Sequence, residues 1–202
     1  LYLAAAGVGH IVIADFDQVE LSNLQRQIIH QTKDIGDDKV NSAKNKLTEL
    51  NPEIKVTIAN ELIHTDNLNE LIKGVDIVLD GTDNFESRFE INKVCVENRK
   101  PLISAAVVRF EGQVSVFEGH QKNLPCYQCL YSVEGEENES CIENGVLAPV
   151  AGLIGTIQAL QAIKVILNLG DQLSGSLLLV DALDLSFRKV KIGKDPKCPI
   201  CN

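Results

Sequence analysis

His10-Ile11-Val12-Ile13-Ala14-Asp15 is the stretch on which the fold turns. It is a short, almost unbroken apolar run that stops at an acid. A strand covered by helices on both faces reads this way, whereas a half-exposed strand alternates. The same signature returns at Val75-Asp76-Ile77-Val78-Leu79-Asp80. Between the two lie helix-like and strand-like segments in turn. Residues 37–50 have helical spacing and close at Asn51-Pro52, 54–59 read as a strand, and 66–73 read as a helix. After Asp80 come a helix over 84–99, stopped by Pro101, and a strand over 102–107. Alternating strands and helices imply right-handed crossovers and a parallel sheet.

Beyond residue 108 the period changes. Phe110–Phe117 alternates as an antiparallel strand does, with Gly112, Val114 and Val116 on one side and Gln113, Ser115 and Phe117 on the other. Residues 118–147 are polar, rich in Gly and Glu, and read as a long surface excursion. A long apolar helix follows over 148–169, then a closing hairpin over 177–181 and 185–190. The fold class is therefore α/β and Rossmann-like, mostly parallel, with an antiparallel C-terminal extension. Working backwards, residues 1–6 look like the end of a helix stopped by Gly7 and Gly9. A parallel α/β sheet does not begin with half a helix, and the chain contains no Met. The expectation is a single domain over 1–202 whose first strand and glycine-rich turn lie upstream of Leu1.

Composition bounds the chemistry. At about 150 residues per domain, 202 residues make one large domain. Nineteen Lys and Arg against 28 Asp and Glu give a net charge of −9. That makes the chain a poor candidate for general binding to nucleic acid or to an anionic membrane. It leaves room for a phosphate where a few cations and backbone N–H groups converge. The apolar stretch 146–169 is interrupted by Gln158, Gln161 and Lys164, as a core helix is. The expected compartment is the cytoplasm, where Cys residues serve as metal ligands or catalytic groups rather than disulfides.

Four of the six Cys form Cys126-Tyr127-Gln128-Cys129 and Cys198-Pro199-Ile200-Cys201. Two matched C-x-x-C pairs supply four thiolates to one tetrahedral Zn2+ and staple the excursion to the C-terminus. A closed four-thiolate shell leaves no position for water, so its role is structural. A thioredoxin-like redox pair is the competing assignment. Asp15, at a strand end, is placed to accept hydrogen bonds from a ribose of NAD or ATP. In Ser22-Asn23-Leu24-Gln25-Arg26, and at Lys39, two cations and several amide or hydroxyl groups could meet a triphosphate. Gly81-Thr82-Asp83-Asn84 follows a strand's carboxyl end, where ligands of open α/β sheets bind. Asp83 could hold Mg2+ there, or simply cap the next helix. Cys141, outside both pairs, is a candidate nucleophile, although its acidic neighbours would raise its pKa. Cys95 fits core packing.

Taken together these pieces resemble the MoeB/ThiF/HesA family, bacterial relatives of the ubiquitin-activating enzyme. The resemblance runs over essentially the whole chain. Besides the segments quoted, it includes Gly112-Gln113 and Gly145-Val146-Leu147-Ala148-Pro149. The resemblance implies ATP-dependent adenylation of the C-terminal glycine of a ubiquitin-like sulfur carrier, either the molybdopterin synthase small subunit or a thiamine carrier. It implies that Asp15 holds the ribose, that Asn23, Arg26 and Lys39 engage the phosphates beside Ser22 and Gln25, and that Asp83, next to Asn84, positions Mg2+. It also implies a homodimer, and for Cys141 the place of a reactive Cys in some members. The family's phosphate loop would precede Leu1, so residues 1–202 alone are expected to bind ATP poorly. Two other functions compete. An NAD(P)-dependent oxidoreductase explains Asp15 and the sheet but not Lys39 or the paired cysteines. A non-catalytic carrier-docking scaffold has no use for Arg26, Lys39 and Asp83.

Overall fold

The computed structural model describes residues 1–131 and 145–202. Two compact units divide the chain, Leu1–Ile63 and His64–Asn202.

In the first unit, α1 (Tyr2–Ala5) leads into β1 (His10–Ala14), and α2 (Lys39–Leu50) into β2 (Lys55–Ala59). β1 and β2 pair in parallel from His10↔Lys55 to Ala14↔Ala59. α1 stops because Gly7 takes φ +81°, a left-handed conformation open to a residue without Cβ. Its N–H bonds Ala4 O at 3.1 Å, and that of Val8 bonds Leu3 O at 3.0 Å. Ala4, Leu47 and Ile54 form the buried centre, with Ile11, Ile13, Ile29 and Val56 packed around it. Between β1 and α2 the chain runs through two short 3-10 turns, Leu21–Asn23 and Thr32–Asp34.

The second unit holds α3 (Thr65–Leu71), β3 (Val78–Asp80), α4 (Phe85–Glu97), β4 (Leu102–Val108) and β5 (Glu111–Phe117). After a 3-10 turn at Tyr127–Cys129 come α5 (Ala148–Leu167), β6 (Ser176–Asp181) and β7 (Ser186–Lys191). The sheet order is β3-β4-β5-β6-β7. β3 and β4 are parallel, and β4–β5, β5–β6 and β6–β7 are antiparallel. The α/β class, the parallel pairs and the closing hairpin agree with the expectation. The antiparallel part is larger than a terminal extension, because β5 joins the parallel strands directly to the hairpin. The strand expected at 75–80 narrows to Val78–Asp80, since Val75 is taken into a turn by its N–H bond to Ile72 O at 3.3 Å.

Two faces of this unit depart from the sequence pattern. β5 alternates in sequence but is buried on both sides from Val114 to Phe117. α5 covers one side so closely that a Cβ on Gly112 would stand 2.3 Å from Ile154 Cγ1. The rings of Tyr127 and Tyr131 lie on the other side, with Phe117 5.5 Å from Tyr127. Ser115, 1 % exposed, survives there because its hydroxyl donates to Ser176 O at 2.8 Å. α5 was expected to be buried. In the single chain it buries Val150, Ile154, Ala159, Gln161 and Ala162 but leaves Leu160, Ile166 and Leu167 exposed. By length and composition alone it could cross a membrane.

Candidate functional site

In the first unit Asp15 stands just past the carboxyl end of β1, and Lys39 is tied to Asp17 two residues on. The N–H of Asp15 continues the sheet by donating to Ala59 O at 3.2 Å. One carboxylate oxygen of Asp15 accepts the N–H of Asp17 at 2.9 Å, which turns the chain. Asp17 then holds Lys39 twice: its carbonyl accepts the Lys39 N–H at 2.9 Å, and its carboxylate pairs with Lys39 Nζ at 2.7 Å. The Lys39 side chain is 10 % exposed and that of Asp17 48 %. Among the described residues, this nearly buried ammonium is thus paired with one acid, itself half-exposed. Sequence reading missed Asp17 as its partner, since 22 residues separate them.

Ser22-Asn23-Leu24-Gln25-Arg26 winds through a tight turn rather than a helix. Asn23, buried, accepts the Glu20 N–H on its side chain at 3.1 Å. Ser22 donates to Glu20 Oε2 at 3.1 Å, and Arg26 Nη1 to Ser22 O at 3.3 Å. Gln25 is exposed. Nearby, His30 is 8 % exposed, and its Nδ1 meets Ser42 Oγ at 2.8 Å. The Ser42 hydroxyl spends its proton on Asp34 Oδ2 at 3.0 Å, so His30 must be the donor at Nδ1. Burial pushes the His30 pKa down.

In the second unit the loop Gly81-Thr82-Asp83-Asn84 leaves β3 and enters α4. Asn84, not Asp83, is the cap: its Oδ1 accepts the Ser87 N–H at 2.8 Å. Asp83 is exposed and not engaged in capping, so the simpler alternative for it falls away. Asp80 is 1 % exposed and fully hydrogen-bonded.

The four paired cysteines converge. Their sulfurs all lie within 4.8 Å of one another. Cys126–Cys198 is 3.6 Å, Cys129–Cys201 3.4 Å and Cys126–Cys129 4.0 Å. These are not disulfide distances. A tetrahedron with Zn–S near 2.3 Å has sulfur–sulfur edges of about 3.8 Å, so the residues fit the metal. Val96 and Ile200 shield the cluster. The cradle is tight: a Cβ on Gly119 would lie 2.4 Å from Cys126 Cβ and 3.1 Å from Cys201 Cβ. Asn92 of α4, 1 % exposed, donates to Cys126 Sγ at 3.6 Å and accepts the Tyr127 N–H at 2.9 Å. It both orients the turn and stabilises a thiolate, as residues behind metal ligands do. Burial pushes the Cys126 thiol up, and the Cys201 thiol up to about 11. At Cys198 burial acts the same way, but N–H groups of Ile200 and Cys201 outweigh it and the pKa falls. A dication at the centre would offset that cost for the whole set.

Asn92 and Arg88 were missed in the sequence. Their signal was present: with Ile91 and Cys95 they share the buried face of α4, where polar residues need partners. Cys95 is core as expected, its thiol raised to about 12, chiefly by burial. Cys141 lies outside the described residues.

The chain matches the model of the ThiF family over residues 1–200. The molybdopterin-synthase adenylyltransferase of Salmonella typhimurium is 44% identical over 200 residues, which are 99% of this chain and 80% of that protein. The sulfur carrier protein adenylyltransferase of Thermus thermophilus is 39% identical over 205 residues, 99% of this chain and 76% of that one. Among solved structures, Escherichia coli MccB with ATP superposes with a TM-score of 0.84 at 25% identity, and this chain spans 61% of its length. By sequence match over almost its whole length, and by fold, the chain belongs to the ThiF family of adenylyltransferases.

Proposed function

We propose that the protein activates the C-terminal glycine of a ubiquitin-like sulfur carrier with ATP and Mg2+, a carrier of the molybdopterin synthase small-subunit or thiamine type. A carboxylate oxygen of that glycine attacks the α-phosphorus of ATP. The bond from that phosphorus to the bridging oxygen breaks, pyrophosphate leaves, and an acyl-adenylate remains for later sulfur transfer. Asp15 accepts hydrogen bonds from the ribose. Lys39, Arg26 and Asn23 engage the phosphates, with Ser22 and Gln25 beside them. Asp83, next to Asn84, takes the cation. Cys141, which matches the place of a reactive Cys in some family members, is assigned to the later sulfur transfer. Positioning and charge neutralisation supply most of the rate in such a reaction. Lys39 suits it: Asp17 holds the ammonium in place before substrate arrives.

One observation carries this reading. Asn84 takes the cap of α4 and leaves the Asp83 carboxylate exposed at the carboxyl end of β3. The cysteine cluster holds Zn2+ as a structural staple. The apolar residues that α5 leaves exposed support a homodimer. The net charge of −9 supports work away from nucleic acid and anionic membranes, and the described cysteines, which are free rather than bridged, suit the cytoplasm.

The test is carrier-dependent ATP–pyrophosphate exchange in the full-length protein. Asp83→Asn is expected to lower exchange by about 10²–10³-fold, the cost of losing one electrostatic contact to the transition state. Exchange retained in Asp83→Asn removes Asp83 from its role. Thermal stabilisation by NAD in place of ATP overturns adenylation altogether.

A further inference from the structure

β3 ends in a carboxylate that is not offered to any ligand. The Asp80 side chain is 0 % exposed. Its Oδ1 accepts both the N–H and the hydroxyl of Thr82, at 2.9 and 2.7 Å, and its Oδ2 accepts the Ser104 hydroxyl at 2.8 Å. Arg88, one turn into α4, is 8 % exposed, and its Nε lies 3.9 Å from Asp80 Oδ2. The same guanidinium donates through Nε and Nη2 to Thr82 O, at 3.2 and 2.5 Å. The ring of Phe85, 5.8 Å from Arg88 Cζ, backs it. Gln158 of α5 completes the set by donating to Asp80 O at 2.8 Å and to Ile103 O at 2.9 Å.

Thr82 is therefore held at its N–H and hydroxyl by Asp80 and at its carbonyl by Arg88. Asn84 is held by its capping bond to Ser87. Asp83 is the one residue between these two anchors. A buried ion pair is a poor way to gain stability, since desolvating two charges offsets most of their attraction. A planar, forked cation that addresses a carbonyl and a carboxylate together is a good way to fix geometry.

Resting on the proposed function, we propose that Asp80 and Arg88 are positioning residues. They clamp Thr82 on one side of Asp83, as the Asn84 cap fixes the other side, so that the Asp83 carboxylate is pre-aimed at the divalent cation carried by the nucleotide. They do not touch substrate. Their effect is on how well Asp83 meets the cation.

The experiment uses the full-length protein with Arg88→Lys, which keeps the charge beside Asp80 but loses the fork. Binding of Mn2+ to the enzyme–ATP complex is followed by electron paramagnetic resonance, and the Mg2+ dependence of exchange by kinetics. Mn2+ affinity is expected to fall about tenfold, and the Mg2+ needed for half-maximal exchange to rise by the same factor, because misplacements of about 1 Å cost on that scale or more. The KM for the carrier is expected to stay unchanged. Ser104→Ala, which removes one donor to Asp80 without changing charge, is expected to shift both in the same direction by about threefold, one lost hydrogen bond. It serves alone if Arg88→Lys does not fold. Unaltered Mn2+ affinity and Mg2+ dependence in a folded variant overturn the clamp. Asp83→Asn runs in parallel. Wild-type Mn2+ affinity there overturns the cation role of Asp83 and the clamp with it. Loss there, with unaltered clamp variants, overturns the clamp only.

Discussion

Gly119→Ala adds one methyl group at the most crowded point of the cysteine cluster. The new Cβ would stand 2.4 Å from Cys126 Cβ and 3.1 Å from both Cys201 Cβ and Val96 Cγ2. Carbon atoms at rest sit near 3.5–4.0 Å, so the shortest contact must open by more than 1 Å. The closest atom is not the loose end of a flexible side chain. The shortest contact is to the first carbon of a clustered cysteine, as is one of the two at 3.1 Å; the other is a Val96 methyl. Relief must therefore come from moving the ligands apart, which the metal-bound state resists and the metal-free state tolerates. Overpacking costs about 1–3 kcal/mol, and the upper half of that range applies to atoms so constrained. At 1.4 kcal/mol per decade, about 2–3 kcal/mol corresponds to a Zn2+ affinity lowered by about 30- to 150-fold. Melting of the zinc-loaded protein is expected to fall by about 4–12 °C for a chain of this size. The assay is competition for Zn2+ against a chromogenic chelator, with thermal melting alongside. Gly74→Ala, where a Cβ meets nothing within 4 Å, is the control. If Gly119→Ala releases Zn2+ as slowly as the wild type and melts at the same temperature, the cluster is not the close-packed metal site that these distances describe.

Two further predictions follow from buried polar groups. Asn92→Ala removes the donor to Cys126 Sγ and the acceptor for the Tyr127 N–H. Zn2+ affinity is expected to drop about 10- to 100-fold, the usual effect of losing a group behind a ligand; chelator competition reads it, and wild-type retention refutes it. His30 is held neutral mainly by burial, with Lys39 adding to the effect and Asp34 and Asp15 opposing it. Its folded pKa lies below the unfolded value of about 6.5. Below that pH the unfolded chain binds a proton that the folded chain refuses, so stability is fully present above pH 6.5 and falls as pH drops towards the folded pKa. His120 is shifted the same way, chiefly by burial. Urea midpoints at pH 7.5 and 5.5 are expected to lie closer together in His30→Gln than in the wild type; an identical gap refutes the assignment.

Much of this protein was legible without coordinates, because the signals involved are local. The apolar runs ending at Asp15 and Asp80, the helical stretches between them and the hairpin after α5 follow from spacing alone. That the two C-x-x-C pairs converge on one point was also readable, since four thiols at that spacing suit one tetrahedral metal. Tertiary structure decided what depends on partners distant in the chain. That Asn84 rather than Asp83 caps α4 is a choice between adjacent residues that either could have made. Lys39 takes Asp17 from across 22 residues, and Asn92 reaches Cys126 from across 34. Sequence period showed β5 alternating, but not that α5 and two tyrosine rings would cover both its faces. Nor did it mark Asp80 as a buried anchor rather than one more acid at a strand's end. The reason is physical: periodicity reports which face of an element is apolar, whereas the cost of a buried charge is settled only by the groups that folding brings against it.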